Sequence, residues 1–274
     1  MDDLVKPSEK WDPFERPLFD NPKARDLSRV GVVDIGSNSV RLVVFDGAAR
    51  SPAYFFNEKV MCALGAGLAE SGKLNPNGRL RALSALRRFC TIAKGIGLPR
   101  LTAVATAAVR EASDGADFVA QVQSETGLKI HVINGEEEAR LAAQGVLLGW
   151  PGSYGLVCDM GGGSMELAEI ADGQVGKRVT SPLAPLKLIN IRGGKKGRKA
   201  AITETLDRLR DQMGPQSDRL FLVGGSWRAL ARIDMHRRGY PLHVMHEYQM
   251  TPRDVKATLR FIDDCDLEAL SPTI

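Results

Sequence analysis

Apolar and polar positions fall into two cycles along the chain. From Val30, the runs VGVVDIG, VRLVVFDG and AYFFNEKVMCAL are separated by short polar turns and predict three strands. GRLRALSALRRFCTIAKGIG, after a turn at 75–78, repeats apolar residues at helical spacing and predicts an amphipathic helix. LTAVAT and KIHVI are short apolar runs bounded by Gly, Pro and charge, with helices predicted in DGADFVAQVQSET between them and EEEARLAAQGVLLGW after them. Near Trp150 to Ser153 the pattern restarts. YGLVCDMGGGSMELAEIADGQVGKRVTS reads as three more strands, and a helix is expected over 198–213. RLFLVGG then runs as a strand through two glycines into the helix SWRALARIDMHRR, and VKATLRFIDD ends the pattern as a helix. Strands alternating with crossover helices predict an α/β fold, with one lobe over 30–150 and a second over 151–274. Residues 1–29 hold four prolines and no period, which predicts a mobile arm.

Composition narrows the picture. Across 274 residues, 43% apolar and 26% charged content excludes a chain disordered throughout. A net charge of +4 is too small to mark a nucleic-acid binder, so no DNA partner is expected. The strong local asymmetry is KLINIRGGKKGRK at 187–199, with six bases and no acid; it reads either as a track for a polyanion or as a solvated loop. The four cysteines form no CxxC pair, the start lacks the pattern of a signal peptide, and no apolar stretch reaches membrane-span length. A cytoplasmic protein with no membrane association is expected. His131, His236, His243 and His246 show no metal-binding spacing and read as structural or surface residues.

The chemistry lies in an internal echo. DIGSNS at 34–39 and DMGGGS at 159–164 stand 125 positions apart, each with an Asp ending one strand and a small polar turn opening the next. A turn of this kind lets backbone N–H groups surround phosphate oxygens, and the neighbouring carboxylate can hold Mg²⁺ against the phosphate charge. A single copy would read as an ordinary hairpin; duplication at the head of both halves favours a phosphate clamp. LVGGSWRAL adds Gly224 and Gly225 at a strand-to-helix turn, where free N–H groups and the helix dipole attract anions.

These segments, with TAAVREA, INGEEEARLAAQGV and GYPLHVMHEY, resemble the exopolyphosphatase/guanosine pentaphosphate phosphatase (Ppx/GppA) family, over about Val30 to Phe261. The resemblance implies two ribonuclease H-like, actin-like ATPase lobes with mixed sheets flanked by helices and an active site in the cleft between lobes. It implies a cytoplasmic, Mg²⁺-dependent exopolyphosphatase that removes terminal phosphate from inorganic polyphosphate, with guanosine pentaphosphate as the alternative substrate. Glu138 is then the base that activates water, and Arg110 contacts the terminal phosphate. Glu136 and Glu137 complement the helix dipole, and Arg110 has an alternative role pairing with Glu111 or Asp114. Gly36, Ser37, Asn38, Ser39, Gly161, Gly162, Gly163, Ser164, Gly224, Gly225 and Lys187 form the phosphate cradle, and Asp34 and Asp159 hold the metal. Arg41 faces either the site or solvent. Where many relatives read PLGAVRL this chain reads PLAPLKL at 182–188, so Ala184 and Pro185 replace a glycine turn. Relatives also continue past the last helical pattern, so an incomplete second lobe is expected. An actin-fold small-molecule kinase and a non-catalytic polyphosphate- or alarmone-binding module are the rival readings, and a homodimer is left open.

Overall fold

A computed structural model describes residues 29–45, 54–98, 101–242 and 244–266; the expected arm apart from Arg29, His243 and residues 267–274 lie outside the described residues. In the first half, β1 (Val30–Ile35), β2 (Ser39–Phe45) and β3 (Tyr54–Met61) form an antiparallel meander. β1 then pairs in parallel with β4 (Leu101–Ala105), and β4 with β5 (Ile130–Val132), giving the order β3-β2-β1-β4-β5. A parallel partner needs a crossover. That crossover contains the one-turn helix α1 (Leu68–Ser71) and the 20-residue α2 (Pro76–Gly95).

Side-chain alternation decides which face of the sheet is covered. Val33, Ile35, Val40, Leu42 and Val44 are fully buried, while the residues between them reach the opposite face. α2 lays Leu83, Leu86 and Phe89 into that same core, at the spacing that keeps side chains on one helical face. The turn expected at 75–78 is the helix cap itself: Asn75 accepts a bond from the Gly78 N–H, and Pro76 occupies the first turn. Past β4 come α3 (Ala107–Glu111) and α4 (Gly115–Thr126), and α4 adds Phe118 and Val122 to the core. α5 (Gly135–Gly149) follows β5.

The second half repeats the plan. β6 (Gly155–Met160), β7 (Met165–Ala171) and β8 (Gln174–Ser181) form a meander, and β6 pairs in parallel with β9 (Leu220–Val223) in the order β8-β7-β6-β9. The crossover holds α6 (Pro185–Leu188) and α7 (Gly194–Met213), so helix occupies more of the basic 187–199 segment than expected. α8 (Gly225–Arg237) and α9 (Pro252–Asp264) complete the described elements. Cys158, Met165, Leu167, Leu209 and Met213 form a smaller core against which Trp227 packs.

The chain divides into two compact units. One runs to Asn134 and takes in Leu147–Pro151; the other comprises Gly135–Val146 and the residues from Gly152 onward, so most of α5 groups with the second half. Among the described residues no helix is long and apolar enough to cross a membrane.

Candidate functional site

The two echoed turns are built alike. In the first, the Gly36 N–H donates to the Ser39 carbonyl at 3.0 Å; in the second, the Gly161 N–H donates to the Ser164 carbonyl at 3.0 Å. Each bond closes a tight connection between two antiparallel strands and leaves the small residues between them at the tip. In the first turn the neighbouring chain fixes the backbone: the Cys62 and Ala63 N–H groups donate to the Asn38 carbonyl, and the Gly65 N–H to the Ser37 carbonyl at 2.7 Å. Ser37 is buried by this packing, Asn38 is exposed, and Gly36 and Ser39 are half-buried. In the second turn Gly163 and Ser164 are buried, while Gly161 and Gly162 are half-buried. Each turn therefore offers solvent only part of the cradle expected from sequence.

Cross-strand neighbours give the two acids different surroundings. Asp34 lies opposite Arg41, and Arg41 opposite Lys59, so one row of the first sheet reads acid, base, base. The Asp34 side chain reaches solvent, but the protein packed around it pushes its carboxyl above the usual carboxylate range by desolvation, and the Arg41 and Lys59 charges act against that rise. Arg41 is half-buried and donates from Nε to Asn57 Oδ1 at 2.8 Å. It thus lies on the Asp34 face of the sheet.

The corresponding row of the second sheet reads Asp159, Glu166, Thr180. Glu166 is 1% exposed and accepts a bond from Thr180 Oγ1 at 3.0 Å. The anionic field of this row is felt at the adjacent Cys158, whose thiol is pushed up to about 12, first by burial and then by the charges of Asp159 and Glu166. Glu166 is not among the residues expected from sequence, although Arg41, its counterpart in the first copy, is. Aligning DIGSNSVRL with DMGGGSMEL would have exposed the position, since Arg41 and Glu166 occupy the same place in the two copies.

Two further segments converge on the second turn. Gly224, at φ 116°, caps α8 where a Cβ would lie 2.4 Å from the Met160 carbonyl oxygen and 3.3 Å from Asp159 Oδ1, so only glycine lets α8 start this close to the end of β6. The helix has no side-chain cap, leaving its first N–H groups without a capping side chain beside Asp159. On the other side, the Leu186 N–H donates to the Gly162 carbonyl at 3.2 Å, tying α6 and with it Lys187 to the turn. Ala184 is buried and Pro185 takes the first position of α6, so the segment after β8 forms a one-turn helix.

The start of α5 brings the glutamates to the same sheet. A Cβ on Gly135 would fall 2.4 Å from the Thr180 Cβ, so the first turn of α5 rests directly on β8 beside the Asp159 row. Glu137 is taken by Arg140 through two bonds, Nε to Oε2 at 2.8 Å and Nη2 to Oε1 at 2.5 Å. Glu136 is exposed, and Glu138 is half-buried. In the first unit, Arg110 is half-buried on α3 and donates from Nη1 to the Ile133 carbonyl at 2.8 Å. The alternative partner Asp114 is engaged elsewhere, accepting from the Leu74 N–H and pairing with Arg79 at 3.3 Å.

Among the described residues no group of three or more His, Cys, Asp or Glu could hold a metal by itself. Mg²⁺ keeps several waters and binds through one or two carboxylates plus phosphate oxygens, so the donor set it needs from protein is small. Asp159 with Glu166 beside it fits that chemistry, whereas Asp34 facing two cations fits it less well.

A model of the Ppx/GppA phosphatase family matches residues 43–270. The chain belongs to this family. Exopolyphosphatase 1 of Mycobacterium tuberculosis (strain ATCC 25618 / H37Rv) is 34% identical over 163 residues, covering 58% of this chain and 47% of that protein. Exopolyphosphatase 1 of Mycobacterium leprae (strain TN) is 33% identical over the same length, with 58% and 48% covered. The chain thus spans about half the length of the curated relatives it matches. Among solved structures, an exopolyphosphatase from Cytophaga hutchinsonii superposes with a TM-score of 0.76 at 23% identity, over 85% of this chain and 79% of that one. The Aquifex aeolicus PPX-GPPA enzyme superposes with a TM-score of 0.74 at 24% identity, over 90% and 85%. These likenesses show the fold: two mixed sheets flanked by helices.

Proposed function

We propose that this Ppx/GppA protein hydrolyses the terminal phosphoanhydride of inorganic polyphosphate and releases orthophosphate. The observation that carries the reading is the second turn, where an acid row, an uncapped helix start and a glutamate-bearing helix meet around one glycine connection. Curated relatives named as exopolyphosphatases support the choice of substrate.

In this reading Glu138 takes a proton from water as its oxygen attacks the terminal phosphorus. The bond from that phosphorus to the bridging oxygen breaks, and the shortened chain leaves carrying the charge. Glu138 suits the base role because it is half-buried on the helix whose first residue rests on Thr180, whereas Glu136 is exposed. Backbone N–H groups of Gly161 and Gly162, the start of α8 at Gly225, and Lys187 bind and orient phosphate oxygens. Arg110 offers phosphate oxygens a planar fork that its bond to Ile133 holds in one direction, and the Gly36–Asn38 turn offers them backbone N–H groups. Asp159 would hold Mg²⁺, which when bound neutralises phosphate charge. The protein acts as a cytoplasmic enzyme.

Phosphate release from long-chain polyphosphate, guanosine pentaphosphate and ATP, each with and without Mg²⁺, tests the proposal. The expected order places long-chain polyphosphate first and requires Mg²⁺. Preference for guanosine pentaphosphate would reassign the substrate; transfer from ATP to an acceptor would make the chain a kinase; no turnover on any of the three would leave a binding module.

A further inference from the structure

α9 carries a feature that the reaction above does not use. Its packed side is fixed by Thr258, which is fully buried and donates to Asp234 Oδ1 at 2.6 Å. On the opposite side a concavity of about 470 Å³ is lined by Pro252, Arg253, Lys256, Ala257 and Arg260. At 100° per residue these side chains fall within one stripe, and the three cations spread over roughly 10 Å of helix axis. All three are exposed, and none makes an ion pair or side-chain hydrogen bond with another described residue. On a helix, bases and acids three or four positions apart are neighbours that can pair. Asp254 is committed to the cap of its own helix, accepting from the Thr251 N–H at 2.9 Å and from Thr251 Oγ1 at 2.6 Å. Asp263 and Asp264 stand three and four positions after Arg260, make no ion pair with it, and bound the cationic stripe at that end.

The geometry points to the Arg253–Lys256–Arg260 face of α9 as a distal binding site for a linear polyphosphate chain. Three exposed cations in a row along one helix face, none paired with another described residue, match evenly repeated negative charge. No aromatic ring lines the wall among the described residues, so nothing is offered for stacking bases, and a bare phosphate chain fits better than single-stranded RNA. The distance from the second turn also suits a chain. α8 begins at Gly225 beside Asp159 and reaches Asp234, the residue bonded to Thr258 of α9, nine residues and about 13 Å later. A substrate held at the turn must therefore be long to touch α9, so the site would select chain length. This inference rests on polyphosphate being the substrate.

The test reads binding directly, so that it does not depend on turnover. Affinity for long-chain polyphosphate is measured across ionic strength for the unaltered chain, for Arg253→Ser/Lys256→Ser/Arg260→Ser, and for Lys195→Ser/Lys196→Ser/Arg198→Ser/Lys199→Ser at the start of α7. The α9 triple variant should bind about 10- to 100-fold more weakly at low salt. Its log-affinity slope against log-salt should shrink by about 2, taking ~0.7 per lost phosphate contact by analogy with single-stranded nucleic acid. Arg253→Lys/Arg260→Lys, which keeps the charge, should retain binding, and the urea midpoint of each variant checks that it is folded. Where turnover is present, the preference for long chains over tripolyphosphate should fall in the triple variant. Unchanged affinity and slope in that variant would overturn the proposal, and so would a loss confined to the α7 variant. Tighter binding of oligouridylate than of polyphosphate, lost in the triple variant, would make the face an RNA site instead. A chain that binds polyphosphate through α9 but releases no phosphate would sink the hydrolytic reading alone.

Discussion

Three consecutive glutamates open α5, and their surroundings separate them. Glu137 is clamped by the two bonds from Arg140, four atoms in a planar fork that leave its carboxylate little freedom to serve as a base. Glu136 is exposed and complements the positive end of the helix dipole. Glu138 remains: half-buried, on a helix whose first residue touches Thr180 of the acid-bearing row. Glu138→Gln keeps the shape of the side chain and removes its basicity, so turnover should fall by ~10²- to 10⁴-fold while substrate affinity stays within a few-fold. Glu137→Gln should leave turnover nearly intact and show its effect as a lower unfolding midpoint, since it weakens the pairing with Arg140. The reverse pattern, measured as kcat and binding for both variants, would move the base one residue toward the start of the helix.

Among the elements, α8 and α9 are joined by a buried carboxylate. Asp234 is fully buried and accepts from Thr258 Oγ1 at 2.6 Å, Tyr248 Oη at 2.6 Å and Arg237 Nη2 at 2.7 Å. Burial alone would raise its pKa, but the bonds from Thr258, Tyr248 and Arg237 together outweigh that and leave it lowered. A lowered carboxylate stabilises the fold above its unfolded-state pKa, near 3.9, and the contribution fades as pH falls through the folded value. Asp234→Ala should therefore cost about 3–5 kcal/mol at pH 7, because three donors lose a buried anion. The difference in urea midpoint between the parent chain and Asp234→Asn should shrink from pH 7 to pH 3; a gap independent of pH would mean the carboxylate charge contributes nothing. Most of this junction was not legible in the sequence: Asp234 and Arg237 stand three apart on α8, but Tyr248 and Thr258 join them only through packing. Long elements were legible because each repeats its apolar period over several turns or alternations, as α2 and the β1–β2 pair do. The helices α1, α3 and α6 were not, being four or five residues long, too short to display a period. The candidate site divides the same way: the glycine turns announce themselves by composition, whereas Glu166 acts through a neighbour across the sheet that no local pattern reveals.

Taken over the whole molecule, the two halves share a strand order but differ in charge. Both sheets run third, second, first, fourth strand, and both turns close with the same hydrogen bond. At the matching cross-strand positions, however, Asp34 has Arg41 and Lys59, while Asp159 has Glu166 and Thr180. One copy places cations next to its acid and the other places a second anion there. By Coulomb's law the first arrangement repels a divalent cation and attracts phosphate oxygens, and the second does the opposite. The duplicated turn is thus expected to have divided its labour, the first half favouring anion and the second favouring Mg²⁺. Titrating activity with Mg²⁺ tests this division. Asp159→Asn should raise the Mg²⁺ concentration needed for half-maximal turnover by about tenfold or more, the scale seen when support around a metal is removed, and Glu166→Gln should act in the same direction. Asp34→Asn should leave that concentration within about twofold, because Arg41 and Lys59 already oppose a cation there. A larger Mg²⁺ shift in Asp34→Asn than in Asp159→Asn would place the metal on the first half, and the charge difference between the rows would then have to be explained by folding alone.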